Sequence, residues 1–177
     1  MVKKLFKFVA LLLFFIFALI LFAPKENIYY LLEQNLKKFD IIISHEKLEN
    51  RKLYLNIQNL DVSVKGIETL TIKEANIVIL ALYNSIELEN IMLSSLAKNY
   101  LPVKIDKVDI YYTILNPLKI YAVGHGKFGD ARVAIDVLKR KAALVLRPSK
   151  IMRMRYRNSL KELKKSKNGE YLYEKSL

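Results

Sequence analysis

His45 and His125 are the only imidazoles in the 177 residues, and the chain has no cysteine. A zinc site would need both histidines together with carboxylates. Ser44 precedes His45, but adjacent strand residues face opposite ways, which is wrong for a nucleophile and its base. Asp106 and Asp109 are the right type for acid–base work, yet their odd spacing on a strand also separates them. Gly124-His125-Gly126-Lys127-Phe128-Gly129 fits the G-x-G-x-x-G spacing. A dinucleotide loop of that form needs a buried strand before it, a helix after it and an acidic residue about 20 positions on. Here Val133, Ile135 and Val137 alternate with Arg132, Ala134 and Asp136, which favours a strand, although Ala131, Ala134, Ile135 and Leu138 also allow a helix. Arg147 and Lys150 stand where the carboxylate is needed. The expected structure is a glycine turn or kink between strands. No catalytic, cofactor-binding or metal-binding residue is assigned, no cofactor is expected, and the chain is read as non-enzymatic.

The remaining chemistry is charge. The formal net charge is +13, but its distribution is uneven. Residues 139–177 hold thirteen Lys/Arg against three Glu, residues 1–7 hold three Lys, and the stretch between is balanced. Pro148-Ser149 opens a predicted C-terminal helix with Met152, Tyr156, Leu160 and Leu163 on one line. Arg153, Arg155, Arg157, Lys161, Lys164 and Lys165 fill much of the remaining circumference. These six are candidates for contact with an anionic surface, with Met152, Tyr156 and Leu160 dipping toward lipid. The plainer reading is a solvated charged face, and a third is nucleic acid, which the expected topology disfavours. Lys167-Asn168-Gly169 ends the helix, and Tyr171-Leu172-Tyr173 returns as a short strand.

These residues must be positioned by elements at a membrane. Phe8–Ala23 is an unbroken apolar run behind Lys3, Lys4 and Lys7, and as a helix Leu5–Ala23 spans about 28 Å, close to a bilayer core. A cleaved signal peptide would need small residues at the last and third-last positions, but Leu21 precedes Ala23 and Ile16 precedes Ala18. The expectation is an uncleaved anchor. The clustered N-terminal lysines place the N-terminus in the cytoplasm and the body in the periplasm, against a nearly even count from Lys25, Lys37 and Lys38. Three parts follow: residues 1–23, tail and transmembrane anchor; 24–148, a periplasmic β-domain with a leading helix; 149–177, the basic helix and terminal strand.

The leading amphipathic helix is expected to start at a capping Asn27, with Ile28, Leu31, Leu32, Asn35 and Phe39 on one face and Glu33–Lys37 as an i,i+4 pair. Period-two alternation follows. Leu53, Leu55 and Ile57 form one set; Leu60, Val62 and Val64 form a second, shifted by one residue. The shift predicts a β-bulge or bend near Asn59 and a second apolar face. Ile77–Tyr83 reads as a strand buried on both faces. Ile105-Val108-Ile110-Tyr112, Lys119–Val123, Ala131–Leu138 and Ala142–Leu146 supply further strands. Two stretches repeat: Ile57–Ser63 matches Leu88–Ser94, and Ile72–Ile77 matches Ile105–Ile110, consistent with two hairpin units of one design. The fold class is therefore mainly β: a transmembrane helix, a short amphipathic helix, a curved and mostly antiparallel sheet, and a basic C-terminal helix.

The order of a cytoplasmic tail and anchor, Tyr29-Tyr30-Leu31-Leu32-Glu33, Ser85-Ile86-Glu87-Leu88-Glu89-Asn90-Ile91, the 123–129 glycine segment, Ala134-Ile135-Asp136, Leu146-Arg147-Pro148-Ser149 and Lys167-Asn168-Gly169-Glu170-Tyr171 resembles protein N of type II secretion systems. More broadly it is similar to the AsmA-like envelope proteins. The resemblance implies a single-pass inner-membrane protein with a curved periplasmic sheet, lipid handling in the broader group, and no catalytic residues. Two functions are expected: non-catalytic support of envelope transport or secretion-system assembly, or an LptC-type lipid or lipopolysaccharide carrier with an apolar sheet groove. Candidate groove residues are Leu60, Val62, Val64 and Leu80. Expected partners are membrane lipid and other envelope or secretion proteins docking at sheet edges.

Overall fold

The structure, a computed structural model, describes residues 2–80 and 83–176, without the side chains of Leu19 and Ile20. Two helices come first, α1 (Val2–Phe22) and α2 (Lys25–Lys37). The strands are β1 (Ile41–Ser44), β2 (Lys47–Asn50), β3 (Tyr54–Val64), β4 (Ile67–Ile79), β5 (Tyr83–Leu93), β6 (Lys104–Thr113), β7 (Lys119–Gly126), β8 (Gly129–Asp136) and β9 (Lys141–Pro148). Two short helices, α3 (Lys150–Arg155) and α4 (Arg157–Lys161), precede β10 (Lys164–Lys165) and β11 (Tyr171–Ser176).

The fold is mainly β, as its alternating apolar pattern requires. β3 to β9 run as an antiparallel meander, each strand beside the next. One edge is closed by β1 and β2, which share the outer side of β3. At the other edge β11 lies on β9, and β10 covers only the Tyr171 and Leu172 end of β11. The two edges do not meet, so the sheet is open.

The helix α1 runs 21 residues. Among the described residues no helix is long and apolar enough to cross a membrane; Leu19 and Ile20, whose side chains are not described, interrupt the described apolar run. The expected transmembrane span is thus unsupported here and belongs to the proposals below.

The phase shift near Asn59 is present, in a form wider than a local bulge. Asn59 adopts left-handed backbone (φ 57°), and so does Asn90 (φ 53°). Asparagine tolerates this region better than other side-chain-bearing residues. The ladders skip Asn59, Lys73, Asn90 and Asp106, which lie opposite one another on β3, β4, β5 and β6. On each strand the core residues straddle that point three apart: Ile57 and Leu60, Ile72 and Ala75, Leu88 and Ile91, Ile105 and Val108. Because β3, β4 and β5 shift together, their pairing register survives across the line. The irregular pairing on β3 itself falls further on, between Val62 and Ser63. The repeat seen in the sequence places Asn59 on Asn90, and both take the same unusual conformation.

This shared shift corrects the expected second apolar face. Leu60 lies in one cluster with Leu55 and Ile57, so the shift keeps the apolar residues on one side. Leu53 lies outside β3 and is exposed. Three further expectations change. Ile77–Tyr83 is the end of β4 and the start of β5, with Leu80 N donating to Tyr83 O at 3.0 Å; Ala81 and Leu82 lie outside the described residues. The leading helix begins at Lys25 without a side-chain cap. It docks through Lys25 and Tyr29, leaving Ile28, Leu31, Leu32 and Phe39 exposed, because the sheet takes only the narrow face that carries Tyr29. The Glu33–Lys37 pair forms, at 2.7 Å. The C-terminal helix divides at Tyr156 into α3 and α4, and Lys164–Lys165 is strand. Ser149 caps α3, accepting from Met152 N at 3.1 Å, and Tyr171–Ser176 is the expected returning strand.

Candidate functional site

The pairing register sorts the sheet into faces, since directly opposed residues point the same way. One transverse row reads Leu55, Ile77, Ile86, Ile110, Ala122, Val133, Leu144, Tyr173. A second reads Ile57, Ala75, Leu88, Val108, Gly124, Ala131, Leu146, Tyr171. Sixteen positions on eight strands hold no charged side chain. The opposite face carries the row Gln58, Glu74, Glu89, Lys107, His125, Asp130, Arg147. The paired charged residues of β3 to β9 lie on this second side, which on β6 to β9 also carries Tyr111, Tyr121, Val123, Ala134, Ala143 and Val145.

Both helical segments sit on the apolar side, at its two margins. Tyr29 of α2 packs with Leu55, Ile57, Leu60, Ile72, Ala75 and Ile91. Met152 of α3 and Leu160 of α4 pack with Phe128 and Leu146. Helix contacts accordingly fall on β1, β2 and β3 at one end and on β9 at the other. Between them Ile86, Ile110, Ala122, Val133 and Leu144 are only half-buried. Full burial of an aliphatic side chain contributes about 1.5–3 kcal/mol, so each of these leaves part of that stabilisation unrealised. Beside the second helical segment the face deepens into a cavity of about 330 Å³, walled by Leu101, Ile105, Phe128, Leu144, Met152 and Leu163 among others.

Of the expected groove residues, Leu60 is 4% exposed in the closed part beneath α2, with Val62 packed against that cluster. Val64 is at the β1 end of β3, opposite Ile41, and Leu80 follows β4 at the hairpin. The open stretch lies elsewhere, along β5 to β9. No single strand reveals it, because it emerges only when the hairpin registers are laid side by side; the three-residue spacing of core positions in four strands was the available signal.

The six candidate cations are divided among α3 (Arg153, Arg155), α4 (Arg157, Lys161) and β10 (Lys164, Lys165), all exposed. The apolar line beneath them is covered by the sheet. Met152 and Leu160 are 5% and 4% exposed, and Tyr156 and Leu163 pack against the same cluster, because the line is spent on the sheet.

The residues first considered for chemistry are held apart by separate partners. His45 Nδ1 lies 3.0 Å from Asp61 Oδ2, and His125 Nδ1 lies 2.7 Å from Asp130 Oδ1, both at the surface. Asp106 reaches Lys104 at 3.7 Å and Asp109 reaches Lys107 at 3.4 Å. The alternation expected to separate these aspartates is itself broken at Asp106. Lys107 also pairs with Glu87, whose accepted hydrogen bond holds the lysine above its usual pKa range. Among the described residues no group of three or more His, Asp or Glu is placed to hold a metal ion. The glycine motif is a strand–turn–strand: Gly126 and Gly129 pair across the β7–β8 turn. Gly129 has φ 115°, and a Cβ there would meet Arg147 O at 2.1 Å. The chain matches no family model, no curated protein and no solved structure.

Proposed function

We propose that this is a membrane-anchored, non-catalytic lipid-binding protein whose open apolar face receives acyl chains. The observation that carries the reading is the pair of uncharged transverse rows, the first of them left half-buried between two helical margins at Ile86, Ile110, Ala122, Val133 and Leu144. An apolar face of that extent on a soluble domain marks an interaction surface. In this reading α1 crosses the inner membrane, its 21 residues giving a helix of about 32 Å, and the sheet stands in the periplasm. Exposed Ile28 and Leu31 on α2 begin only a few residues after α1, which suits a helix lying at the bilayer surface. The order of segments that resembles the AsmA-like envelope proteins leads to the same proposal, a lipid or lipopolysaccharide carrier of the LptC type. The scaffold reading, in envelope transport or secretion-system assembly, draws on a different feature: the outer side of β11 at Tyr173–Ser176 has no strand partner among the described residues, which leaves an edge another protein can extend.

Photocrosslinking groups placed singly at Ile110, Val133, Val62 and Arg132 of the full chain in cells test the lipid reading. Lipid adducts are expected at Ile110 and Val133 and not at Val62, which packs against the Tyr29 cluster, or at polar-face Arg132. No adduct at the two open-face positions, or equal adducts at Arg132, would overturn it.

A further inference from the structure

Next to the apolar cavity lies a second, of about 460 Å³, lined by Arg153, Arg157, Lys161 and Lys165 with Leu160, Leu163 and Tyr171. Leu163 walls both cavities. Among the described residues none of these four cations lies within ion-pair distance of a carboxylate. The nearby acids are engaged or turned elsewhere: Glu170 pairs with Arg147 at 2.6 Å, and Glu162 lines the apolar cavity. Arg153 spends its Nε on Pro148 O at 3.2 Å, which fixes the guanidinium beside the cavity and leaves its terminal nitrogens free to donate. Four converging cations on a solvated helix repel one another. Here they are held together because Met152 and Leu160 are buried on one side and Lys165 is registered opposite Tyr171 in β10–β11.

We propose that this basic cavity is the headgroup site of the same ligand, and that the ligand is an anionic, phosphate-bearing lipid. The inference rests on the lipid-binding reading above and adds the headgroup chemistry. An acyl chain lies past Leu163 against Leu144 and Phe128, and the phosphate takes charge-assisted hydrogen bonds from the arginines and lysines. The division among the six basic residues is specific: Arg155 and Lys164 do not line the cavity and serve as charge-matched controls.

The test uses the full chain in phosphatidylcholine nanodiscs carrying a photoreactive acyl chain on either phosphatidic acid or diacylglycerol, with adducts located by mass spectrometry. The expected result is labelling beside Leu144 and Met152 about fivefold higher for phosphatidic acid, the preference of one or two exposed ion pairs. Arg157→Gln with Lys161→Gln brings the ratio to about one, while Arg155→Gln with Lys164→Gln preserves it. High salt lowers the wild-type ratio by screening, a readout that needs no variant. Glycerol phosphate without acyl chains does not compete; if it abolishes labelling at equal concentration, the site is one for free phosphate and the lipid assignment falls. Equal labelling by both lipids overturns the headgroup site while leaving the groove intact. Equal loss in both double variants reduces the effect to bulk surface charge and overturns it too. Absence of labelling by either lipid overturns the groove, and the headgroup site with it.

Discussion

Tyr29 carries its hydroxyl into the core at 3% exposure, where the oxygen has no partner within hydrogen-bond distance among the described residues. Burial, reinforced by the charges of Glu46 and Glu33, pushes its pKa above the usual tyrosine range. Below about pH 10 the phenol is protonated in folded and unfolded chains alike, so its titration contributes nothing. Above that pH the unfolded chain loses the proton first, and stability falls as pH rises. Tyr29→Phe is therefore expected to stabilise by about 1 kcal/mol at neutral pH, by removing a stranded polar atom, and to flatten the alkaline loss. Denaturant midpoints of the detergent-solubilised chain across pH 7–11 measure both effects; an unchanged alkaline slope would remove Tyr29 as its source. Gly129 is the converse case, a position closed to every side chain. With Arg147 O at 2.1 Å from a Cβ and φ at 115°, Gly129→Ala is expected to cost roughly 2 kcal/mol or more, read as a lowered midpoint. Wild-type stability in that variant would mean the β8–β9 approach is looser than described.

At the scale of elements, the shared phase shift is the feature that the sequence carried furthest. The alternation break near Asn59 and the match of Ile57–Ser63 to Leu88–Ser94 were both visible in the residues. Their meaning was not, because a shift in one strand sends side chains to the far face, and the same shift in all its neighbours keeps them on the near one. Asn59→Gly and Asn90→Gly are expected to be nearly neutral, since glycine enters the left-handed region freely. Asn59→Val or Asn90→Val is expected to cost about 1–2 kcal/mol. Urea titration separates the two outcomes, and a tolerated valine would show that the conformation is not required. The C-terminal segment was legible only in part. Ser149 announced the start of α3, and the apolar line Met152, Tyr156, Leu160, Leu163 was correct as a line, but its occupant was the sheet. A helical stripe in a sequence states that something will be covered and leaves open what covers it.

For the whole molecule, composition separated balanced middle from basic ends, and the strand-rich body followed from alternation. The open stretch on β5–β9 did not, because it depends on register and on where two helices stop. Orientation across the membrane is the remaining large-scale variable of the proposal. A reporter joined after Ser176 is expected to be active as a periplasmic fusion and silent as a cytoplasmic one; the reverse pattern would place the sheet on the inner side of the membrane.

The matched irregularity at Asn59 and Asn90 also sets how such a sheet can change in width. The β3–β4 and β5–β6 hairpins carry the same break at the same height, so another hairpin of this pattern would join without disturbing its neighbours. Each would widen the sheet by about 9.6 Å, two strand spacings, and lengthen both uncharged rows by two positions. A single added strand would instead reverse the chain's direction at β9 and carry α3 and α4 to the wrong end. The width of the uncharged face is thus quantised in hairpins, with the two helical margins acting as fixed end stops on an adjustable gauge.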